Sequence, residues 1–428
     1  MKIFTQYRHL RREVYVLFLC RIVTNLGSMV WPVLTLIETQ KLNMNATTVA
    51  VVSVVSGILF VPASLVGGHL ADRFNKKKII VFFDLVSIVF FIIAAFVPLS
   101  YATIGLLVIA AACQNLEWPS YNSLIADFTL TKDRERAYSL QYLGANIGLV
   151  ISPTLAGLLF KDHLWLSFLI SGFSIALSTV LIAILIKDVT PVEDDSAESV
   201  YQKTNEKAPL LTVLKENRIL IIFIVLIAFY YAAYQQYGYL MPIDMGKIHG
   251  DDGALIYGTV SSLNCIIVVL VTPLFTTIFK KVSYTMKFLI GAVFVAIGYG
   301  VFRLLLGFVP AYYAAITLFT FGEIIVTIAE EPYLNERIPQ SHRGRINGVM
   351  TVMSSIIQGI AMVLVGVLYD NVAPAASWIF VLGMLALSFV LGFVLLFRDK
   401  KRYPALYKPK EVSVEESVKD GPPDDLTV

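Results

Sequence analysis

Twelve runs of about 20 apolar residues, parted by short polar turns, leave this chain few ways to fold. A hydrocarbon core offers no water to the backbone, so a spanning segment must satisfy its own polar groups, and a run of this length does so as an α-helix. The runs fall near residues 14–38, 48–70, 79–98, 102–125, 138–160, 164–186, 219–241, 255–279, 286–308, 311–334, 346–369 and 376–397. Composition agrees: of 428 residues 57% are hydrophobic and 15% charged, against about 25% charged in soluble domains. The expected fold is an all-α membrane protein of twelve transmembrane helices. The first run follows the basic "KIFTQYRHLRRE" with no small-residue cleavage site, and reads as a retained helix rather than a signal peptide.

Lys and Arg set the orientation. Only Lys41, Lys161 and Lys247 fall in one set of connections, Arg21 and Arg303 fall within spans, and the other 29 of 34 basic residues lie on the opposite side. Both termini are therefore expected in the cytoplasm. That bias also accounts for the net charge of +3 without a nucleic-acid partner. Cys20, Cys113 and Cys265 all lie in apolar runs with no paired spacing, which predicts buried free thiols and neither a disulfide framework nor a metal site.

A polar segment, "KDVTPVEDDSAESVYQKTNEKAPLLTVLKEN", separates spans six and seven. Its composition predicts a flexible linker, with a short surface helix at "APLLTVLKEN". The chain thus divides into a six-helix bundle over 1–187, a cytoplasmic linker over 188–217, a second six-helix bundle over 218–397 and a disordered tail over 398–428. An internal repeat supports the division: "EWPSYNSLI" from Glu117 aligns with "EEPYLNERI" from Glu330, and "GLLF" from Gly157 with "GVLY" from Gly366. Two similar halves are what alternating access around a central site requires.

The turn after span two reads "GGHLADRFNKKKII". Gly67 and Gly68 permit close helix approach, Asp72 can accept hydrogen bonds or a cation, and Lys76 to Lys78 anchor the turn on the basic side. The pattern resembles the G-x-L-a-D-R-x-G-r-K signature of the major facilitator superfamily, carried here by Gly68, Leu70, Asp72, Arg73, Lys76 and Lys77. Asn75 stands where the family has a second glycine, and asparagine tolerates a left-handed backbone. The resemblance implies a twelve-span fold in two bundles and a cytoplasmic gate, in which the motif joins an acid at the foot of span four, here Asp127. The corresponding turn of the second half, "TTIFKKVSYTMK", lacks the acid and the glycines.

Span five, "GANIGLVISPTLAG", is similar to the glycine and proline stretch of exporters in the family's drug/proton antiporter branch. Gly144, Gly148, Ser152, Pro153 and Gly157 carry the likeness, with Ser152 and Ala156 at two glycine positions. Its physical content is milder, since small residues every fourth position allow close packing in many membrane bundles. Span four departs from the branch: "AAACQNLEWP" has no Arg where many antiporters carry one.

Five charges inside the spans stand out: Arg21, Glu117, Glu323, Glu330 and Glu331. Each costs at least about 2.5 kcal/mol at mid-membrane, so each asks for a partner or a task. Arg21 and Glu117 share a depth, which predicts an ion pair, with Asn25 one turn beyond on the face of Arg21. Glu323 and Glu330 lie on nearly one face of span ten, about 10 Å apart along its axis, and Glu331 points about 100° away. A buried carboxyl with no cation beside it avoids its desolvation cost by holding a proton, which it can load and release as access changes. Glu323, Glu330, Glu331 and Glu117 are therefore the candidates for proton coupling.

Span seven, "AFYYAAYQQYGYLMP", puts Tyr230, Tyr234 and Tyr237 on one face with Gln235 beside Tyr231. Arg21, Asn25, Tyr230, Tyr234 and Gln235 are the candidate cavity residues, suited to a large amphipathic cation. Tyr237 and Tyr239 are expected in an interfacial belt. No H-E-x-x-H, G-x-S-x-G or P-loop is present, which speaks against an enzyme. The function expected is a proton-coupled antiporter that exports lipophilic or cationic small molecules, with protons as coupling ion, no cofactor and no obligate protein partner, in the bacterial cytoplasmic membrane. The alternative is an importer or facilitator for one metabolite.

Overall fold

The computed structural model describes residues 7, 9–186, 218–337 and 340–407, and every regular element among them is helical. The linker expected at 188–217 and its surface helix lie outside the described residues. Span one is built from α1 (Arg12–Leu26), α2 (Val30–Leu36) and a π-helical turn (Ile37–Lys41). Then follow α3 (Ala46–Arg73), α4 (Lys76–Phe96), α5 (Tyr101–Asp127), α6 (Thr131–Leu159) and α7 (Leu164–Leu185). Span seven is likewise divided, into α8 (Arg218–Tyr234), a 3₁₀ turn (Gln235–Tyr237) and α9 (Leu240–His249). The rest are α10 (Asp252–Ile278), α11 (Tyr284–Leu304), α12 (Val309–Arg337), α13 (Gln340–Asn371) and α14 (Pro374–Arg402).

Eleven of these spans are long and apolar enough to cross a membrane. The twelfth, α5, has 27 residues but carries Gln114, Asn115 and Glu117 in its middle. Large apolar side chains such as Ile58, Phe173, Ile184, Leu270 and Ile379 are exposed along the outer surfaces of the spans. Apolar surface of that extent has lipid as its natural solvent.

Helix ends follow local chemistry. Asn45 accepts from the Thr48 N–H at 2.8 Å and starts α3, and Asn75 accepts from the Lys78 N–H at 3.1 Å and starts α4. Asn75 thus has an extended backbone (φ −64°, ψ 114°) and not the left-handed one expected of a glycine substitute. A cap needs its side-chain oxygen folded back over the first turn, and that sets the conformation.

α4 packs on α5 and α7, and α1 on α6 and α7; in the second half α11 packs on α12 and α14, and α8 on α13 and α14. Among the described residues the most extensive contacts between the halves are α6 with α10 and α3 with α13, and α2 adds smaller ones to α9 and α10. The first two are counterparts under the sequence repeat. A Cβ on Gly157 would come within 2.5 Å of the Ala254 carbonyl in the first turn of α10, and one on Gly366 within 3.0 Å of Thr47 in the first turn of α3.

Hydrogen bonds between the halves cluster on the face opposite the basic one. Asp370 at the end of α13 accepts from Ala46 N (3.2 Å), Thr47 N (2.7 Å) and Thr47 Oγ1 (2.6 Å), capping α3 from across the boundary. Lys41 meets Asp251 at 3.3 Å, and the Tyr239 hydroxyl donates to the Ala46 carbonyl. On the basic face Gly68 of α3 and Gly348 of α13 have nothing within 4 Å of a Cβ. Among the described residues, the halves are hydrogen-bonded to each other on one face, and on the other these two glycines meet no neighbour.

α14 runs past the expected boundary at 397, and a helical turn follows at Pro404–Tyr407. Asp399 is fully buried and accepts from Arg337 Nε (2.8 Å), Arg337 Nη2 (2.6 Å), the Tyr333 hydroxyl (3.1 Å) and the Tyr407 hydroxyl (2.6 Å). A fork-to-fork ion pair with two phenols holds this stretch in place. The remainder of the expected tail lies outside the described residues.

Candidate functional site

In the second half, Glu323 on α12 accepts from the Tyr234 hydroxyl at 2.9 Å and from Asn264 Nδ2 on α10 at 2.8 Å. Neither donor is charged, and no ion pair reaches Glu323 among the described residues. Seven residues on, Glu330 accepts from the Tyr231 hydroxyl at 2.5 Å. Both acids thus turn to α8, as their spacing predicts. Glu331 is exposed, with no hydrogen-bond or ion-pair partner among the described residues.

Aromatic rings close around Glu323. Tyr234 stacks on Phe319 at 5.1 Å, and Tyr237 lies 5.2 Å from Phe319 and 5.7 Å from Tyr257. Tyr230 is buried beside Tyr231 and Tyr234, its hydroxyl without a hydrogen-bond partner among the described residues. The belt expected for Tyr237 and Tyr239 is not found. The 3₁₀ turn swings both rings inward, Tyr237 onto the aromatic cluster and Tyr239 into the face where the halves are hydrogen-bonded, while Gln235 is exposed.

In the first half, a polar cavity of about 340 Å³ lies among α1, α2, α4, α5 and α7, lined by Arg21, Asn25, Asp84, Gln114, Asn115 and Glu117, among others. The ion pair expected between Arg21 and Glu117 is not formed. The guanidinium sits instead over the Trp118 ring, 4.3 Å from its centroid, and 6.0 Å from that of Tyr121. Glu117 turns to Asp84 on α4, and the two carboxyls lie within hydrogen-bonding reach. Asn25 donates to the Arg21 carbonyl at 2.8 Å and lies against Gly148 of α6.

Asp84 escaped the sequence reading. Its signal was an acid inside the apolar run "IIVFFDLVSIV", of the same kind as that of Glu117. Asp244 also went unremarked; it is buried and accepts from the Tyr369 hydroxyl (2.6 Å) and Trp378 Nε1 (2.7 Å), which fasten α9 to α13 and α14.

At the basic turn, Lys76 pairs with Asp127 at 2.5 Å and Lys77 donates to the Ile186 carbonyl at 2.6 Å. Asp72 and Arg73 are exposed, and Gly68 meets no neighbouring helix. Both lysine contacts lie within the first half. The span-five motif serves two neighbours. Gly144 and Gly148 admit α1, whereas Pro153 and Gly157 press on α10, with the Pro153 carbonyl against Gly258. Ser152 is buried between them.

Eleven spans apolar enough to cross a membrane, a charged turn after the second span, and intramembrane carboxyls facing polar and aromatic walls bear on one family. The profile of the Major Facilitator Superfamily matches residues 17–361. The chain belongs to this family. It is a multi-pass membrane transporter of a small-molecule substrate. A relative from Planococcus maritimus, described as a Na(+), Li(+), K(+)/H(+) antiporter, is 24% identical over 322 residues, or 68% of this chain and 74% of its own. A Bacillus subtilis (strain 168) protein described as the uncharacterized MFS-type transporter YqjV is 25% identical over 329 residues, covering 76% of this chain and 78% of its own. Among solved structures, a mutant of the peptide transporter POT in complex with sulfate superposes with a TM-score of 0.75 at 16% identity, over 92% of this chain and 95% of the other. A POT family transporter in complex with 5-aminolevulinic acid gives 0.70 at 14%, over 93% and 97%. These superpositions establish the transporter fold.

Proposed function

We propose that this transporter is a proton-coupled antiporter that exports lipophilic or cationic small molecules across the bacterial cytoplasmic membrane. The reading rests above all on Glu323, an intramembrane carboxyl held by two neutral donors, Tyr234 and Asn264, within a wall of aromatic rings. Neutral donors serve a carboxylate and tolerate a carboxylic acid, so the group can gain or lose a proton as water reaches it from either side. The rings offer a cation contact area without demanding fixed hydrogen bonds. Glu330 beside Tyr231 extends the path toward the basic face, and Glu117 marks a separate acid in the first half. Ion-for-proton exchange is also what the name of the Planococcus maritimus relative states of that protein.

In this reading residues 1–187 and 218–397 are two six-helix bundles with both termini cytoplasmic, and the basic face is the cytoplasmic one. The bundles rock about α3–α13 and α6–α10, and the parted basic face is the inward-open state. Closing it would bring Gly68 and Asp72 against α13. The test is purified protein in liposomes under an imposed proton gradient, with ethidium as the reported cation and Glu323→Gln as the paired variant. Gradient-driven ethidium movement in the wild type that is lost in the variant supports antiport through Glu323. Wild-type liposomes that move no such cation in either gradient direction overturn the export reading and favour a carrier for one metabolite.

A further inference from the structure

We propose that Asp84 and Glu117 form a shared-proton carboxyl pair, a second proton-exchange site that a cationic ligand discharges through the adjoining polar cavity. Asp84 projects from α4 and Glu117 from α5, and the two carboxyls lie within hydrogen-bonding reach of each other. Asp84 is 6% exposed. Two carboxylates that close in a low-dielectric interior do not both stay ionised without a cation between them. One proton held between them removes that conflict.

Thr179 fits both charge states. Its Oγ1 lies 2.6 Å from Asp84 Oδ2 and 2.8 Å from the Ile175 carbonyl, yet the hydroxyl has one hydrogen. It donates to an ionised Asp84, or turns to Ile175 and accepts from a protonated one. No helix needs to move between the two arrangements.

The remaining charges make the site a balance. Arg21 keeps its proton and stacks on Trp118 with no direct ion pair to either acid. With one proton on the pair, the single negative charge left is offset by Arg21 and the cluster is neutral. Without it the cluster carries a net negative charge, facing a cavity of about 340 Å³ lined also by Ser28, Gln114 and Asn115. Glu117 Oε2 is buried there with no hydrogen-bond partner among the described residues. A neutral cluster does not hold a cation and an anionic one does, so proton and cation exclude each other. The other titratable groups around the pair are Cys20 on α1 and Tyr121 on α5, whose hydroxyl donates to the Leu17 carbonyl; α7 contributes the neutral Ser178 and Thr179.

The pair thus carries a proton beyond that of Glu323, and the inference rests on the antiport reading for the use made of it. Two measurements on the full chain keep the two ideas apart. In the first, infrared spectra of detergent-solubilised protein are followed through a pH titration with no ligand present. The Glu323→Gln background retains protonated-carboxyl C=O intensity that disappears on alkalinisation, and adding Asp84→Asn removes one carboxyl's share of that band. Thr179→Val, which keeps both acids, retains the band and moves its midpoint. In the second, a pH indicator follows proton release on addition of tetraphenylphosphonium. Release from Asp84→Asn is about half that of wild type. An infrared band left unchanged on adding Asp84→Asn, or proton release by wild type that Asp84→Asn leaves undiminished, overturns the shared-proton pair. If wild type releases no protons while the Asp84-dependent band is present, the antiport reading fails and the proton site stands.

Discussion

Glu117 and Glu330 occupy matching positions in the repeat, yet they meet opposite surroundings. Among the described residues, Glu330 and its neighbour Glu323 accept from neutral donors, Tyr231, Tyr234 and Asn264. Glu117 faces another acid, with Arg21 fixed nearby over Trp118. The second half therefore surrounds its acids with phenols and an amide, and the first half sets two acids beside one permanent cation. One fold, repeated, supports two electrostatic arrangements because function lies in a few side chains placed on it.

The largest effect should follow from Glu323→Gln. Gradient-driven transport falls to the leak of protein-free liposomes, while the thermal midpoint of the purified protein stays near wild type, since the amide can still accept from Tyr234 and Asn264. A midpoint that collapses would make Glu323 structural and erase the functional side of the comparison.

Arg21→Leu should come next, and it tests the opposite half. Removing the cation beside the buried Asp84 and the half-buried Glu117 costs about 3 kcal/mol, the lower end for breaking a buried charge arrangement. The loss grows as pH rises, because each proton then leaving the acids creates uncompensated charge. Thermal unfolding between neutral and alkaline pH reads this directly, and a loss independent of pH would mean the guanidinium matters only for packing on Trp118.

Gly157→Leu and Gly366→Leu probe the two matching contacts between the halves. Each should cost about 1–3 kcal/mol by overpacking and slow transport to a similar degree. Unequal effects in thermal unfolding would show the repeat to be symmetric in backbone and asymmetric in motion.

Tyr234→Phe removes one hydrogen bond from Glu323, worth about 1 kcal/mol, so coupling measured in liposomes weakens several-fold and is not lost. The smallest change should be at the basic turn. Lys76→Ala breaks a partly exposed pair with Asp127 worth at most about 1 kcal/mol, so stability stays near wild type.

Much of the architecture could be read from residues in a row. The spans and the common face of Glu323 and Glu330 came from length and periodicity, the charged turn from its residues, and the correspondence of Gly157 with Gly366 from the internal repeat. The errors share a cause. Arg21 and Glu117 share a depth, but their rotation about neighbouring helices turns one to an indole and the other to Asp84. Tyr237 and Tyr239 sit where a belt residue would, but a 3₁₀ turn changes the angular step and carries them inward. Asn75 was matched to a glycine by alignment, whereas the hydrogen bond it makes is a cap.

By itself the amino-acid sequence determined that the chain lives in lipid, which connections carry the positive charge, and which family it resembles. Those properties are sums over neighbouring residues, and a bilayer imposes them on each span separately. The tertiary structure alone decided that Asp84 meets Glu117, that Tyr234 and Asn264 from two different helices both reach Glu323, and that the halves are hydrogen-bonded to each other on the face opposite the basic turn. Such encounters depend on helix rotation and close approach between segments far apart in sequence, where a shift of one residue turns a side chain by about 100° and changes its partner.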